Sequence, residues 1–148
     1  MNFFNYIGLI IIILIMIPNI IFFKINPSGF NNIYKNKYVE LFEQIGRYGC
    51  FILMIFNIPY TYFNFWFNNA LIIYIVGNLV LVILYLLGWI FCNKHFILRA
   101  YLLSIIPSII FMFCGIMILY IPLIILSIVF SICHVTISLK NAYGLYKK

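Results

Sequence analysis

Glu40 and Glu43 are the only acidic residues in a chain of 148, and His95 and His134 are its only histidines. Both acids belong to a run, Glu40, Glu43, Arg47, Cys50, Met54 and Asn57, with steps of 3, 4, 3, 4 and 3. That spacing puts all six on one face of an α-helix. Ser127, Ser131, His134, Ser138 and Asn141 repeat the pattern with steps of 4, 3, 4 and 3. A carboxylate can hold a proton, a cation or a basic ligand, and a carboxylate with an imidazole can serve as an acid/base pair. The functional expectation is that Asn19, Glu43, Arg47 and His134 converge at one depth as a polar cavity. Glu40, Gln44, Asn78 and Ser131 are secondary candidates.

A plainer reading stands beside this one, and the sequence favours it. Acids in a first helical turn suit the helix dipole, and Glu43 with Arg47 forms an i,i+4 pair of the better orientation. Arg47 and Gln44 can extend toward water, because side chains tilt toward the helix N-terminus. Asn19 and His134 lack that escape and read as hydrogen bonds bridging helices.

The elements that must position these residues follow from composition. The chain is 67% hydrophobic and 7% charged, with a mean hydropathy of +1.18. Soluble chains carry about 25% charged residues, so the expected fold is an all-α integral membrane protein. At about 20 residues per crossing, the apolar material forms a bundle of five transmembrane helices. The spans are placed at 3–23, 39–58, 70–91, 97–118 and 121–139. The second is the most polar. The stretch Ile97 to Ser138 is too long for one crossing and reads as two antiparallel helices turning around Tyr120 and Pro122.

Lys and Arg concentrate in short cytoplasmic loops. Lys24, Lys35 and Lys37 lie between spans one and two, Lys94 and Arg99 between three and four, and Lys140, Lys147 and Lys148 after five. Arg47 lies two turns inside the second helix. All nine basic residues thus fall on one side, which puts the N-terminus outside and the C-terminus in the cytoplasm. Residues 24–38 read as a flexible cytoplasmic connector containing Pro27, Ser28 and Gly29. Met1 to Tyr6 has no basic residue and no Ala-x-Ala site follows, so helix one reads as retained rather than as a signal peptide. Tyr60, Tyr62, Phe63, Phe65 and Trp66 suit the outer interface, and Trp89 the inner one.

Other chemistries find little support. Cys50, Cys92, Cys114 and Cys133 form no C-x-x-C pair and are scattered in depth, so they read as buried small residues rather than as zinc ligands. His95 and His134 make a weak case for haem. No Gly-rich phosphate loop, H-E-x-x-H or G-x-S-x-G is present. No cofactor or metal is therefore expected. The net charge of +7 is dispersed at membrane edges, which fits anionic lipid headgroups and not nucleic acid. Ser104, Ser108 and Gly115 give span four a face of small residues suited to close packing.

The segments Glu43-Gln44-Ile45-Gly46-Arg47, Ile55-Phe56-Asn57-Ile58-Pro59 and Ile17-Pro18-Asn19-Ile20 resemble a group of small multi-span membrane proteins from AT-rich Gram-positive bacteria. The resemblance covers the first 60 residues, implies a bacterial cell membrane, and assigns no activity. Three function classes remain. The first is a non-enzymatic accessory, sensor or immunity-type protein, acting as a homo-oligomer or with a membrane partner. The second is a small oligomeric transporter or channel using the polar faces of helices two and five. The third is a lipid-modifying enzyme with His134 and Glu43 as acid and base. A reporter fused at Lys148 is predicted to be active only in the cytoplasm, and an exported signal would overturn the orientation.

Overall fold

A computed structural model describes residues 3–25, 33–92 and 96–146. Lys94, His95, Lys147, Lys148 and the connector residues Pro27, Ser28 and Gly29 lie outside the described residues. Five helices follow in order: α1 (Tyr6–Ile25), α2 (Lys37–Ile55), α3 (Ala70–Phe91), α4 (Phe96–Met117) and α5 (Ile121–Tyr146). Four of them, α1, α3, α4 and α5, are long and apolar enough to cross a membrane, with mean hydropathies of 2.2 to 2.7. The described residues thus fold as an all-α bundle in which four helices could span a membrane. The helix outside this set is α2, whose first half carries Lys37, Glu40, Glu43, Gln44 and Arg47.

The helices close into a ring. α1 contacts α2 and α3, α2 packs on α5, α5 on α4, and α4 on α3. Small residues set these approaches. A Cβ on Gly8 would lie 2.0 Å from the Met54 carbonyl oxygen, and one on Gly46 would lie 2.9 Å from the Phe130 backbone. These pairings, with Gly77 against Phe113 and Gly88 against Leu103, make neighbours around the ring antiparallel, apart from α1 and α3. That pair runs parallel: Asn5 meets Tyr74 near their starts and Phe22 meets Trp89 near their ends. Lys24, Lys35, Lys37, Arg99 and Lys140 consequently share one end of the bundle, the basic end.

Local chemistry explains where the helices start and stop. The Asn36 side chain caps α2 by accepting from the Tyr38 and Val39 N–H groups, so α2 begins at Lys37. At the other end Asn5 N–H donates to Ile55 O and Asn57 N–H to Phe3 O. This isolated bridge holds the first residues extended, and α1 therefore starts at Tyr6 although the apolar run begins at Phe3. α5 continues to Tyr146, past the apolar stretch that ends near 139, and no proline interrupts it after Ser138. Its end is used: Asn141 Oδ1 accepts from the Ile33 and Tyr34 N–H groups at 3.0 and 2.8 Å, and the Lys140 ammonium lies over the Tyr34 ring. The turn between α4 and α5 lies at residues 118–120, with Leu119 at φ 47°. Pro122 sits inside the first turn of α5, where the missing N–H costs nothing.

The residues between α2 and α3 cover the α4–α5 turn. Phe63 N–H donates to Ile118 O, Trp66 Nε1 to Ile116 O, and the Tyr120 hydroxyl bridges Ile58 N and Phe56 O. Trp89, read from the sequence as an inner-interface ring, lies near the end of α3 at the basic end. It is only partly exposed, turns inward and packs on Phe22 with centroids 4.9 Å apart, because α1 gives its ring an apolar neighbour inside the bundle.

α1 belongs to the ring unevenly. Its buried residues, Gly8, Ile11, Ile12 and Ile15, all precede Pro18, and none from Met16 to Ile25 is buried. Pro18 also removes the bond that the Leu14 carbonyl would receive. α1 is thus gripped at one end of the bundle and less covered at the basic end. The glycine contacts give a graded prediction: Gly8→Ala and Gly46→Ala each destabilise by about 1–3 kcal/mol through overpacking. Gly88→Ala, with its nearest neighbour at 3.5 Å, leaves the thermal midpoint in detergent nearly unchanged. Equal effects at all three positions would refute this packing.

Candidate functional site

The ring interior at the basic end holds a cavity of about 770 Å³, walled by residues of α1, α2, α3, α4 and α5. Its base is aromatic. Phe51 of α2 packs edge-on against Phe111 of α4 at 5.8 Å, Phe111 meets Phe130 of α5 at 5.2 Å, and the His134 ring stacks on Phe130 at 4.6 Å and 18°. These side chains separate the cavity from the other half of the bundle. The site therefore sits on a floor that cannot solvate a charge.

Glu43 projects into that wall and is 5% exposed. Its Oε1 accepts from Arg47 Nε at 3.1 Å, from Arg47 Nη2, and from His134 Nδ1 at 2.8 Å. One oxygen thus takes every hydrogen bond the carboxylate makes among the described residues. The register of α2 and α5 produces this meeting. Gly46 lies one turn after Glu43 and lets the Phe130 backbone approach, and Phe130 lies one turn before His134.

Since an ionised carboxylate only accepts, His134 Nδ1 is the protonated nitrogen, and Nε2 is left for the cavity. No hydrogen bond to Nε2 forms among the described residues. Arg47 is 39% exposed along its side chain, lines the cavity and keeps donors that Glu43 does not use. The arrangement can hold a proton, present a hydrogen-bonding nitrogen and an arginine to a ligand, and keep Glu43 charged without water.

The four residues singled out from the sequence all line this cavity. Glu43, Arg47 and His134 are bonded to one another. Asn19 lines the same cavity, but its amide donates to Ile15 O of its own helix at 3.0 Å. Glu40 and Gln44 also contribute to the wall. Asn78 and Ser131 do not. Asn78 is buried in the other half, where it donates to Tyr74 O and accepts from Cys114 Sγ. The Ser131 hydroxyl bonds to Ser127 O, one turn earlier. The cysteines are free, and three of them, Cys50, Cys92 and Cys114, are buried. No group of three His, Cys, Asp or Glu that could hold a metal occurs among the described residues.

Tyr85, Trp89 and Arg99 line the wall as well, although the sequence did not mark them as site residues. Tyr74, Asn78, Tyr85 and Trp89 are spaced 4, 7 and 4 apart, a one-face pattern that marks the inner side of α3. Arg99 was read only as a charge in a loop. It is on α4, with its guanidinium 4.8 Å from the Phe22 ring centroid, which links α4 to the exposed half of α1.

A double-mutant cycle checks the pairing. Glu43→Gln and His134→Phe should show a coupling of about 1 kcal/mol in unfolding measurements, in keeping with interhelical polar bonds in membranes. Strict additivity would mean that the two side chains are independent. Comparison of the chain with known protein families, curated proteins and solved structures finds no match, so a functional reading must rest on this cavity.

Proposed function

We propose that the chain is a five-span protein of a bacterial cell membrane that binds a small molecule in this cavity from the cytoplasmic side, acting as a non-enzymatic sensor or accessory. The observation that carries this reading is the buried Glu43 carboxylate, fixed by Arg47 and His134 in the wall of a cavity rather than within a packed helix contact. A pair serving only to join helices needs no open volume beside it. The size, about 770 Å³, is in the range of ligand pockets, roughly 300–1,000 Å³.

The fifth crossing is supported by the place of α2 in the ring, antiparallel to α1 and α5 and running alongside them. Its polar half lines the cavity at the basic end through Glu40, Glu43, Gln44 and Arg47. Orientation rests on the positive-inside rule: the described basic residues gather at one end, which suits an anionic inner leaflet. Partners in this reading are that leaflet and, for an accessory protein, a second membrane chain.

A transporter is the second reading, favoured by one feature. A cavity open at one end and floored by Phe51, Phe111 and Phe130 is also what one state of an alternating-access carrier would present. A channel gains nothing from such a floor.

Both readings meet in one experiment. Ser138 lines the cavity, so Ser138→Cys, in a background carrying Cys133→Ala, is exposed to a membrane-impermeant maleimide in oriented vesicles. A binding protein with this topology is labelled from the cytoplasmic face only. Labelling from both faces would replace it with the transporter, and labelling from neither would remove the water-accessible site on which both depend.

A further inference from the structure

We propose that the ligand is an amphiphile with an anionic head and an apolar chain, taken from the inner leaflet alongside α1. The proposal rests on the cavity being a binding site and names the chemistry it selects.

Charge comes first. Lys24, Arg47 and Arg99 bring three fixed cations to the wall, facing Glu40 and Glu43. Of the two acids, Glu43 already spends itself on Arg47 and His134. A cationic ligand would have to displace a guanidinium from a carboxylate that is 5% exposed, leaving Arg47 to find another counter-charge in a low-dielectric site. An anion meets no such competition, because Arg47 keeps donors that Glu43 does not use. Lys35, Lys37 and Lys140 at the same end add to the attraction.

Shape and surroundings give the second half of the ligand. Below the arginines the wall is apolar, ending in Phe51, Phe111 and Phe130. On the α1 side the wall from Met16 to Phe23 is apolar apart from Asn19, with Met16, Ile20, Phe22 and Phe23 lining it, and ends at Lys24. These residues belong to the half of α1 in which nothing is buried. A free inorganic anion would leave most of about 770 Å³ unfilled, whereas a chain lying on this wall leads from the arginines into the bilayer. The head is held at Arg47 and Arg99, and the chain exits along α1 between protein and lipid.

Trp89 lies in the wall, which makes binding visible. The full chain carrying Trp66→Phe, with Trp89 as its remaining indole, is placed in nanodiscs of zwitterionic phosphatidylcholine and titrated with 2-bromododecyl phosphate, whose bromine lies beside the head and quenches a nearby indole. Saturable quenching is expected, with affinity at least tenfold lower in Arg47→Gln and several-fold lower in Arg99→Gln. Arg99 makes no bond to Glu43, so its variant carries the test if Arg47→Gln fails to fold. Dodecyl phosphate should compete, while dodecyltrimethylammonium and inorganic phosphate at the same concentration should not.

Equal competition by dodecyltrimethylammonium would overturn the anionic head while leaving the cavity as a binding site. Competition by inorganic phosphate as strong as that by dodecyl phosphate would make a free anion the ligand and overturn the chain. Undiminished affinity in the folded arginine variants would also refute it. No saturable quenching with any amphiphile would overturn this proposal and the binding function together.

Discussion

A carboxylate inside an apolar bundle must carry its counter-charge with it. Removing an ion from water costs several kcal/mol even after relaxation, and the cost is recovered only where geometry and hydrogen bonding are good. Glu43 meets that condition through one residue of its own helix, Arg47, and one of another, His134. The first bond needs only helical spacing. The second requires α2 and α5 to lie antiparallel, in close contact and in a single register, as Gly46 against Phe130 and Gly49 against Leu126 show them. α2 is the helix with the smallest apolar claim to a place in the bundle, and this ion pair gives its polar half a reason to face inward.

The remaining polar side chains divide by what they bond to. Ser104, Ser108, Ser127, Ser131 and Thr136 all donate to carbonyls three or four residues earlier in their own helices. Such back-bonding satisfies a hydroxyl locally and leaves a small residue for packing. Asn5, Tyr74, Asn78 and Cys114 instead form a buried chain linking α1, α3 and α4 in the half away from the basic end. That group is closed upon itself. Around the cavity the pattern differs, because Arg47 and His134 each retain bonding capacity directed at open volume. The two halves of the bundle thus use polar residues in opposite ways, one for cohesion and one for exposure.

Much of this was legible in the sequence, since helix periodicity and hydropathy are local properties. The 3- and 4-residue steps through Glu43 and Arg47, and through His134, mark two faces, and in a bundle inward faces have few places to point. The helix ends were less legible. Phe3 to Asn5 is as apolar as a helix start, and only the pairing with Phe56 and Asn57, more than fifty residues away, keeps it extended. Asn36 was within reach, being a preferred N-cap residue two positions before a hydrophobic run. Arg99 and Trp89 were assigned to membrane edges by type alone. Their actual neighbours depend on where α1 stands, and no spacing within α3 or α4 encodes that.

The cavity exists because α1 is held unequally along its length. Near its start, Gly8 lets the Met54 backbone approach to a distance no other residue type would permit, and the bridge to Phe56 adds backbone bonds. Past Pro18 the ties become side-chain contacts, Phe22 against Trp89 and beneath Arg99, which join α1 to α3 and α4. Such contacts can be remade at small cost, whereas the glycine contact cannot loosen without opening the ring. Movement of α1 would therefore pivot about its start and alter the width of the basic end. The charged pair on α2 and α5, fixed by Gly46 and floored by aromatic rings, would stay in place while the wall opposite it opened or closed.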